Sequence, residues 1–337
     1  STSRMNALNS MNGDYYSLLN RDENEFTTVD QYSYLTLEKV ATIVDGKTLK
    51  NLQKFESYSF NNNESKLILG KDIQKVYRRS TKGTYYVYTV DSKEARLIGE
   101  QIQEPTFSPD SKKIAYAKNN NLFILDLTTN TTRQVTNDGK YNHIINGTTD
   151  WVYEEEFGFV RGFDWNSDSN QLVYMRFDES KVPIFSMDIY GSDLYQFPYM
   201  FRYPKAGEEN SKIEIYVIDL NKGNKNKIIF PENHPYYIPR IKFGLDANQI
   251  LIQTINRHQN HLKLWQWDTG SKSMQLLLEE TDKAYVSIHD NLKILEDRSF
   301  LWTSERDGFN HIYHYDSNGK LIRQLTKGNW EVTSVYV

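Results

Sequence analysis

Cysteine is absent from the 337-residue chain, which excludes disulfide bonds, zinc–thiolate sites and cysteine nucleophiles. Long apolar runs are missing too, because no stretch approaches the roughly 18 consecutive apolar residues of a membrane-spanning helix. The chain has 40 Lys and Arg against 44 Asp and Glu. No basic run dominates, so we expect no nucleic-acid partner. The opening residues, STSRMNALNS, carry no signal peptide, although a processed signal would leave no trace.

Aromatic residues, in contrast, are abundant. They make up 14% of the chain, and 24 residues are Tyr. Aromatic side chains favour strands, and all-β architectures often exceed about 200 residues as one unit. The composition therefore favours an all-β protein with ample material for a core.

One sequence unit recurs: an aromatic residue, a polar turn and an alternating apolar strand. Four copies begin near residues 58, 105, 163 and 241, and a fifth near 292 has Leu in place of the aromatic. Alternation gives each strand one buried face, and the Asn, Asp, Gly and Ser between strands predict turns. The anchor residues are Phe60, Phe107, Trp165, Phe243 and Leu295.

A second strand follows each copy and ends at an aspartate, which we expect to cap a tight turn through the backbone. Residues 30–44 look like a sixth copy of this second half of the repeat, but without the aspartate. Repeated four-stranded units of about 40 to 50 residues are typical of a β-propeller. We therefore predict an all-β fold, a β-propeller of four-stranded antiparallel blades, with an open β-solenoid as the alternative. The aspartates are Asp91, Asp126, Asp219, Asp268 and Asp316.

The repeat is interrupted between Asp126 and Asp219, which lie 93 residues apart, whereas the other neighbouring aspartates lie 35 to 49 residues apart. The extra residues fall at about 144–160 and at about 179–207. Insertions of this size are usually functional.

The first insertion carries DWVYEEEFGF, in which Glu154, Glu155 and Glu156 place three like charges side by side. Such charges repel, and the cost grows if water is excluded. The run is therefore either a site for a positive charge or a solvated acidic helix start that the helix dipole stabilises.

Three segments carry a resemblance: NGTTDWVYEEEF, VPIFSMDIYGSDLYQFPYMFRYPKAG and TKGNWEVTSVYV. They resemble the N-terminal β-propeller domain of the dipeptidyl peptidase IV family, which are serine peptidases of the prolyl oligopeptidase type. The likeness runs from about residue 10 over nearly the whole chain, and the Cys-free, Asn- and Lys-rich composition suggests a bacterial member. The family's propeller has eight blades, and about six blades and the start of another are visible here. The resemblance thus implies that 1–337 is a propeller domain, incomplete at its C-terminal end. It also implies a short helix in the insertion at about 144–160 and an extended arm at about 179–207.

The resemblance also implies roles for single residues. In the family, two adjacent glutamates on a short helix bind the free α-ammonium group of a peptide substrate, and by position these are Glu155 and Glu156. Glu154 is expected to face away from the pocket. Gln101 stands where the family has an arginine that helps to bind the substrate carbonyl. Tyr285, in AYVSIHDN, is similar in position to an aromatic loop near the proline pocket.

The chain contains no G-x-S-x-G nucleophile elbow, and in the family the catalytic α/β-hydrolase domain follows the propeller. We therefore expect no catalytic residue here. We interpret the chain as the non-catalytic propeller of a serine dipeptidyl peptidase, which gates the active site and binds the substrate N-terminus for release of X-Pro or X-Ala dipeptides. The alternative is a peptide- or protein-binding propeller of a catalytically dead homologue.

The same resemblance implies three partners: a peptide with a free N-terminus, the C-terminal α/β-hydrolase domain of the same protein, and a second copy in a homodimer. It implies a periplasmic, secreted or cell-surface location. We expect no cofactor and no metal, because the closest histidines, His258 and His261, form only a pair.

Overall fold

The computed structural model describes residues 8–231 and 236–336, and the chain divides into two compact units, 1–141 and 142–337. Antiparallel β-sheet dominates both, so the predicted fold class of four-stranded antiparallel blades is confirmed. Helix is confined, within the described ranges, to an α-helix, α1 (Trp151–Glu156), and a 3₁₀ helix at Gly46–Thr48. Neither of these described helices is long and apolar enough to cross a membrane.

The described part of the first unit, from residue 8 onward, contains two sheets. Its strands are β1 (Asn9–Ser10), β2 (Tyr15–Arg21), β3 (Thr27–Ser33), β4 (Lys39–Asp45), β5 (Ser57–Phe60), β6 (Lys66–Lys75), β7 (Thr81–Thr89), β8 (Glu94–Phe107), β9 (Lys113–Lys118), β10 (Asn121–Asp126) and β11 (Thr131–Gln134). The four-stranded sheet has the order β1-β2-β3-β4. The seven-stranded sheet contains β5 to β11 as neighbours in chain order, with β5 and β11 at its two edges.

Two predicted blades of the first unit share one long strand. The first half of β8 pairs with β7, and its second half pairs with β9. Gln101 and Glu104 have left-handed backbone conformations, with φ of 55° and 51°, and the register shifts around them. Such bulges re-aim a strand, which explains how β8 serves both blades.

The second unit contains the insertions. Its strands are β12 (Ile144–Asn146), β13 (Phe163–Trp165), β14 (Gln171–Asp178), β15 (Ile184–Ile189), β16 (Phe197–Arg202), β17 (Lys212–Asp219), β18 (Lys225–Lys227), β19 (Tyr237–Phe243), β20 (Gln249–Ile255), β21 (His261–Asp268), β22 (Met274–Thr281), β23 (Lys293–Ile294), β24 (Phe300–Ser304), β25 (His311–Tyr315) and β26 (Leu321–Gln324).

These strands form two regular blades, β19 to β22 and β23 to β26, each with its strands in sequence order. A further sheet has the order β12-β14-β17-β18, with β13 also paired to β14. β15 and β16 form a hairpin of their own, between β14 and β17 in the chain.

Four of the five recurring aspartates cap turns, as expected from their position. At Asp126, the Oδ1 atom accepts the backbone N–H of Thr128 at 2.8 Å and of Thr129 at 3.0 Å. Hydrogen bonds from these two threonines lower the pKa of Asp126 to about 2. Asp219, Asp268 and Asp316 accept backbone N–H groups in their turns in the same way.

Candidate substrate-binding site

Helix α1 begins at a buried cap. The Asp150 side chain accepts the backbone N–H of Tyr153 at 2.9 Å, as an N-cap residue does. Its other carboxylate oxygen accepts the hydroxyl of Ser211 at 2.5 Å, just before β17. Burial raises the pKa of Asp150. The start of the helix is therefore fixed to the strand that follows the second insertion.

The inner face of α1 is aromatic and lies in the core of the unit. Tyr153 is fully buried, and its ring meets Phe157 and Phe177 edge-on at centroid distances of 5.0 and 4.9 Å. Its hydroxyl accepts the backbone N–H of Ile238 at 2.9 Å, and burial raises its pKa well above the usual range. This buried hydrogen bond ties the helix to β19.

The three glutamates have different environments. Successive residues of an α-helix are about 100° apart around its axis, so a run of three cannot share one face. Glu154 is buried at 1% exposure, Glu155 is half-buried and Glu156 is exposed. Glu155 and Glu156 are the last two residues of α1, at the negative end of the helix dipole, where carboxylates are not stabilised. The interpretation as a dipole-stabilised helix start therefore does not fit their position.

Arg240, on β19, contacts the end of the helix. One of its Nη atoms donates to the carbonyl oxygen of Phe157, the C-cap residue, at 2.8 Å. The guanidinium also forms a bidentate ion pair with Asp290, at 2.6 and 3.0 Å, and lies over the Phe159 ring at 5.3 Å. The Arg240 hydrogen bond is the main cause of the lowered pKa of Asp290.

Tyr285 lies in the same unit, in the loop between β22 and β23. Its side chain is 53% exposed, and it lines a cavity of about 560 Å³ together with Asp282, His289, Arg306 and Glu331, among others. The next residue, Val286, donates its backbone N–H to the Gln259 carbonyl at 2.8 Å. The loop is thus held on one side by the turn before β21.

Gln101 lies in the first unit, whereas Glu155, Glu156 and Tyr285 lie in the second. It is exposed, and it occupies the bulge of β8 described above. Its predicted role, like those of the other three residues, stays a prediction.

The second insertion starts at a buried acid. Glu179 is 6% exposed, and its pKa is raised to about 7, mainly by burial and further by the Asp150 carboxylate, while Arg202 opposes the shift. Beyond it, the β15–β16 hairpin exposes apolar side chains, including Tyr190, Leu194, Tyr195 and Phe197, at 53 to 89%.

The two histidines singled out from the sequence, His258 and His261, lie just before and at the start of β21. His261 Nε2 contacts a carboxylate oxygen of Glu279. Across the part of the chain that the structure describes, no three His, Asp or Glu side chains are grouped so that they could hold a metal ion.

The residues that fix the helix were not identified from the sequence. Ser211 is 61 positions from Asp150, Ile238 is 85 positions from Tyr153, and Arg240 is 83 positions from Phe157. No motif links such distant positions. The one local signal was the aspartate before the aromatic–acidic run, which is a typical N-cap residue.

Comparison with protein families gives one match that spans most of the chain. A family described as "Dipeptidyl peptidase IV (DPP IV) N-terminal region" matches residues 61–337. Among curated relatives, dipeptidyl aminopeptidase B of Saccharomyces cerevisiae is 28% identical over 90% of this chain and 39% of the relative. Human prolyl endopeptidase FAP is 26% identical over 88% of this chain and 41% of the relative. The chain therefore spans about two fifths of the length of these relatives.

Solved structures give the same result. The crystal structure of Porphyromonas gingivalis dipeptidyl peptidase 4 matches 98% of this chain and 48% of that chain, with a TM-score of 0.91 and 34% identity. A structure titled as a putative dipeptidyl aminopeptidase IV from Bacteroides ovatus matches 99% of this chain and 48% of that chain, with a TM-score of 0.74. At 22% identity, the second match supports the fold alone.

Proposed function

We propose a function that follows from the family, since the chain belongs to the dipeptidyl peptidase IV N-terminal regions. It recognises the free N-terminus of peptide substrates and gates the active site of a serine dipeptidyl peptidase. The chemistry would be done by an α/β-hydrolase domain of the same protein. The propeller would select peptides with a free N-terminus for release of X-Pro or X-Ala dipeptides.

One observation carries the proposal: two adjacent carboxylates end a short helix that is fixed at both ends. Glu155 and Glu156 together offer about eight acceptor sites, and an α-ammonium group has three donors. Hydrogen bonds between charged groups are roughly twice as strong as neutral ones. An ammonium group bound here would also relieve the repulsion between two like charges at the negative end of a helix dipole.

Because the helix is fixed, this contact would set the distance between the substrate N-terminus and the bond that is cleaved. Asp150 fixes the start of α1 and Arg240 contacts its end, so the glutamates cannot follow a peptide that is longer or displaced. A substrate with a blocked amine would displace water from the carboxylates without supplying positive charge, which costs several kcal/mol. Cleavage would then be limited to the bond after the second residue.

A second copy of the chain is the partner we propose for the β15–β16 hairpin. A two-stranded hairpin is at best marginally stable alone, and this one exposes large apolar side chains. Leu194→Asp and Tyr195→Asp, both at the exposed tip, should shift the protein from dimer to monomer in sedimentation. A wild-type protein that is already monomeric at micromolar concentration would contradict this part of the proposal.

The experiment for the main proposal uses the complete product of the gene. Hydrolysis of a Gly-Pro chromogenic amide is compared with hydrolysis of the same amide carrying an N-acetyl group. We expect the acetylated substrate to be cleaved at least about 100-fold less efficiently, since about 3 kcal/mol of charge-assisted binding is lost. Equal cleavage would refute N-terminus reading. Peptide binding without any hydrolysis would favour the alternative, a catalytically dead homologue.

A further inference from the structure

Arg240 contacts two separate parts of the candidate site at once. Its guanidinium donates to the Phe157 carbonyl at the end of α1 and pairs with Asp290 in the loop that carries Tyr285. The helix and the loop are 50 or more positions away from Arg240 in sequence. The arginine side chain is largely buried, at 21% exposure, whereas that of Asp290 is 76% exposed.

We propose that Arg240 is a positioning residue that sets the distance between the Glu155–Glu156 carboxylates and the Tyr285 loop, and thereby the length of substrate N-terminus that fits between them. The inference rests on the proposed function. Arg240 itself is not placed against substrate, and it acts through the helix and the loop.

The contacts of the loop explain why Asp290 matters. Near Tyr285, the loop is held by the hydrogen bond from Val286 to Gln259, on the neighbouring blade turn. At its other end, Asp290 is held by Arg240. Without the ion pair, the loop would keep its attachments near Tyr285 and, through Leu292, to Lys242 on β19. It would lose its direct link to the arginine that contacts the end of α1, so the spacing between helix and loop would be less tightly fixed.

The arrangement also requires arginine rather than any cation. The planar guanidinium can place two N–H groups on a carboxylate and a third on a carbonyl at the same time. A lysine ammonium is a single point charge and cannot span both partners in fixed geometry. A cavity of about 190 Å³, lined by Gly158, Phe159 and Arg240 among others, adjoins the link, so a shorter side chain would leave room for the helix end to shift.

The test uses the complete enzyme and a dipeptide amide with a free amine. Arg240→Lys and Arg240→Gln should each raise KM by roughly 10- to 100-fold and leave kcat within about twofold, because a displaced ammonium site weakens substrate binding in ground and transition state alike. Arg240→Lys should not rescue KM. A purely structural role would instead lower the melting temperature and the amount of active enzyme, with KM unchanged.

Two further variants test the positioning role even if the Arg240 variants do not fold. Asp290→Asn changes an exposed side chain and leaves the contact with Phe157, so it should fold and still raise KM by at least about threefold. Arg298→Gln is the matched control, since it breaks another Arg–Asp pair of this unit, at 2.9 Å to Asp246, and should leave KM unchanged. An unchanged KM in both Arg240 variants, or in Asp290→Asn if these do not fold, overturns the inference.

Glu156→Gln, measured in parallel, separates this inference from the proposed function. If Glu156→Gln raises KM and the Arg240 variants do not, only the positioning role is wrong. If Glu156→Gln has no effect, the ammonium site itself is wrong and the positioning role is refuted with it.

Discussion

Replacing the glutamates of α1 one at a time by glutamine is the most direct test of the site. Glutamine keeps the size of the side chain and its ability to form hydrogen bonds, but it removes the charge. We expect Glu155→Gln and Glu156→Gln to lower the kcat/KM of the complete enzyme strongly. Glu154→Gln should change kcat/KM by less than about threefold, because Glu154 is buried at 1% exposure and cannot reach a substrate.

The magnitude follows from the exposure of each carboxylate. A hydrogen bond to a charged group contributes about 1.5–3 kcal/mol, which corresponds to a loss of roughly 10- to 150-fold in kcat/KM. Glu155 is half-buried and Glu156 is exposed. Since water screens exposed charges more strongly, the larger loss should occur in Glu155→Gln.

The assay is a kinetic comparison of the three variants on one dipeptide amide, with the melting temperature as a control for folding. Glu155→Gln and Glu156→Gln should melt at or slightly above the wild-type temperature, because each removes one of two neighbouring like charges at the end of the helix. Equal activity in all three variants would mean that the run is only an acidic surface, and the ammonium site would have to be abandoned.

Three other predictions concern the chain itself. The purified chain should not hydrolyse a Gly-Pro chromogenic amide, because it has no nucleophile elbow. Asp150→Ala should destabilise the fold by roughly 2 kcal/mol, since it removes both a helix cap and the buried partner of Ser211. The control Asp45→Ala removes the cap of the 3₁₀ helix and should cost only about 0.5 kcal/mol. Glu179 has a folded pKa of about 7 against an ordinary value of 4.5, so the folded state binds more protons between these values. The contribution of Glu179 to stability should therefore be greatest below this window and fall by roughly 3 kcal/mol as pH rises through it.

Each of these predictions has a clear contrary result. Turnover that survives repurification would show a catalytic site in this chain. Equal losses in urea unfolding for the two cap variants would mean that the Ser211 contact contributes nothing. For the acid, Glu179→Gln should remove its share of the decline in stability between pH 4.5 and 7; an unaltered profile would assign that decline to other groups.

The blades and their turns could be predicted from the sequence. Alternation of apolar residues determines which face of a strand is buried, and the side chain of an aspartate at the end of a strand caps the next turn by accepting backbone N–H groups a few residues on. Both signals act over a few residues, so they can be read without the fold. The shared strand β8 could not be predicted, because two left-handed residues, Gln101 and Glu104, carry it from one blade into the next.

The acidic run shows the same division. Its three neighbouring charges could be read from the sequence, and the resemblance to the family was enough to predict a short helix that carries them. Which charges are exposed depended on the tertiary structure, because the aromatic face of Tyr153 and Phe157 turns toward the core and carries Glu154 inward with it.

Tertiary structure alone decided what holds that helix in place. Ser211, Ile238 and Arg240 contact α1 across separations of 61 to 85 residues. A hydrogen bond depends on the distance and angle between two groups, and for groups this far apart in the chain only the packing of blades sets that geometry. The sequence therefore determined which charges the acidic run contains, and the fold determined where they are held and which of them are exposed.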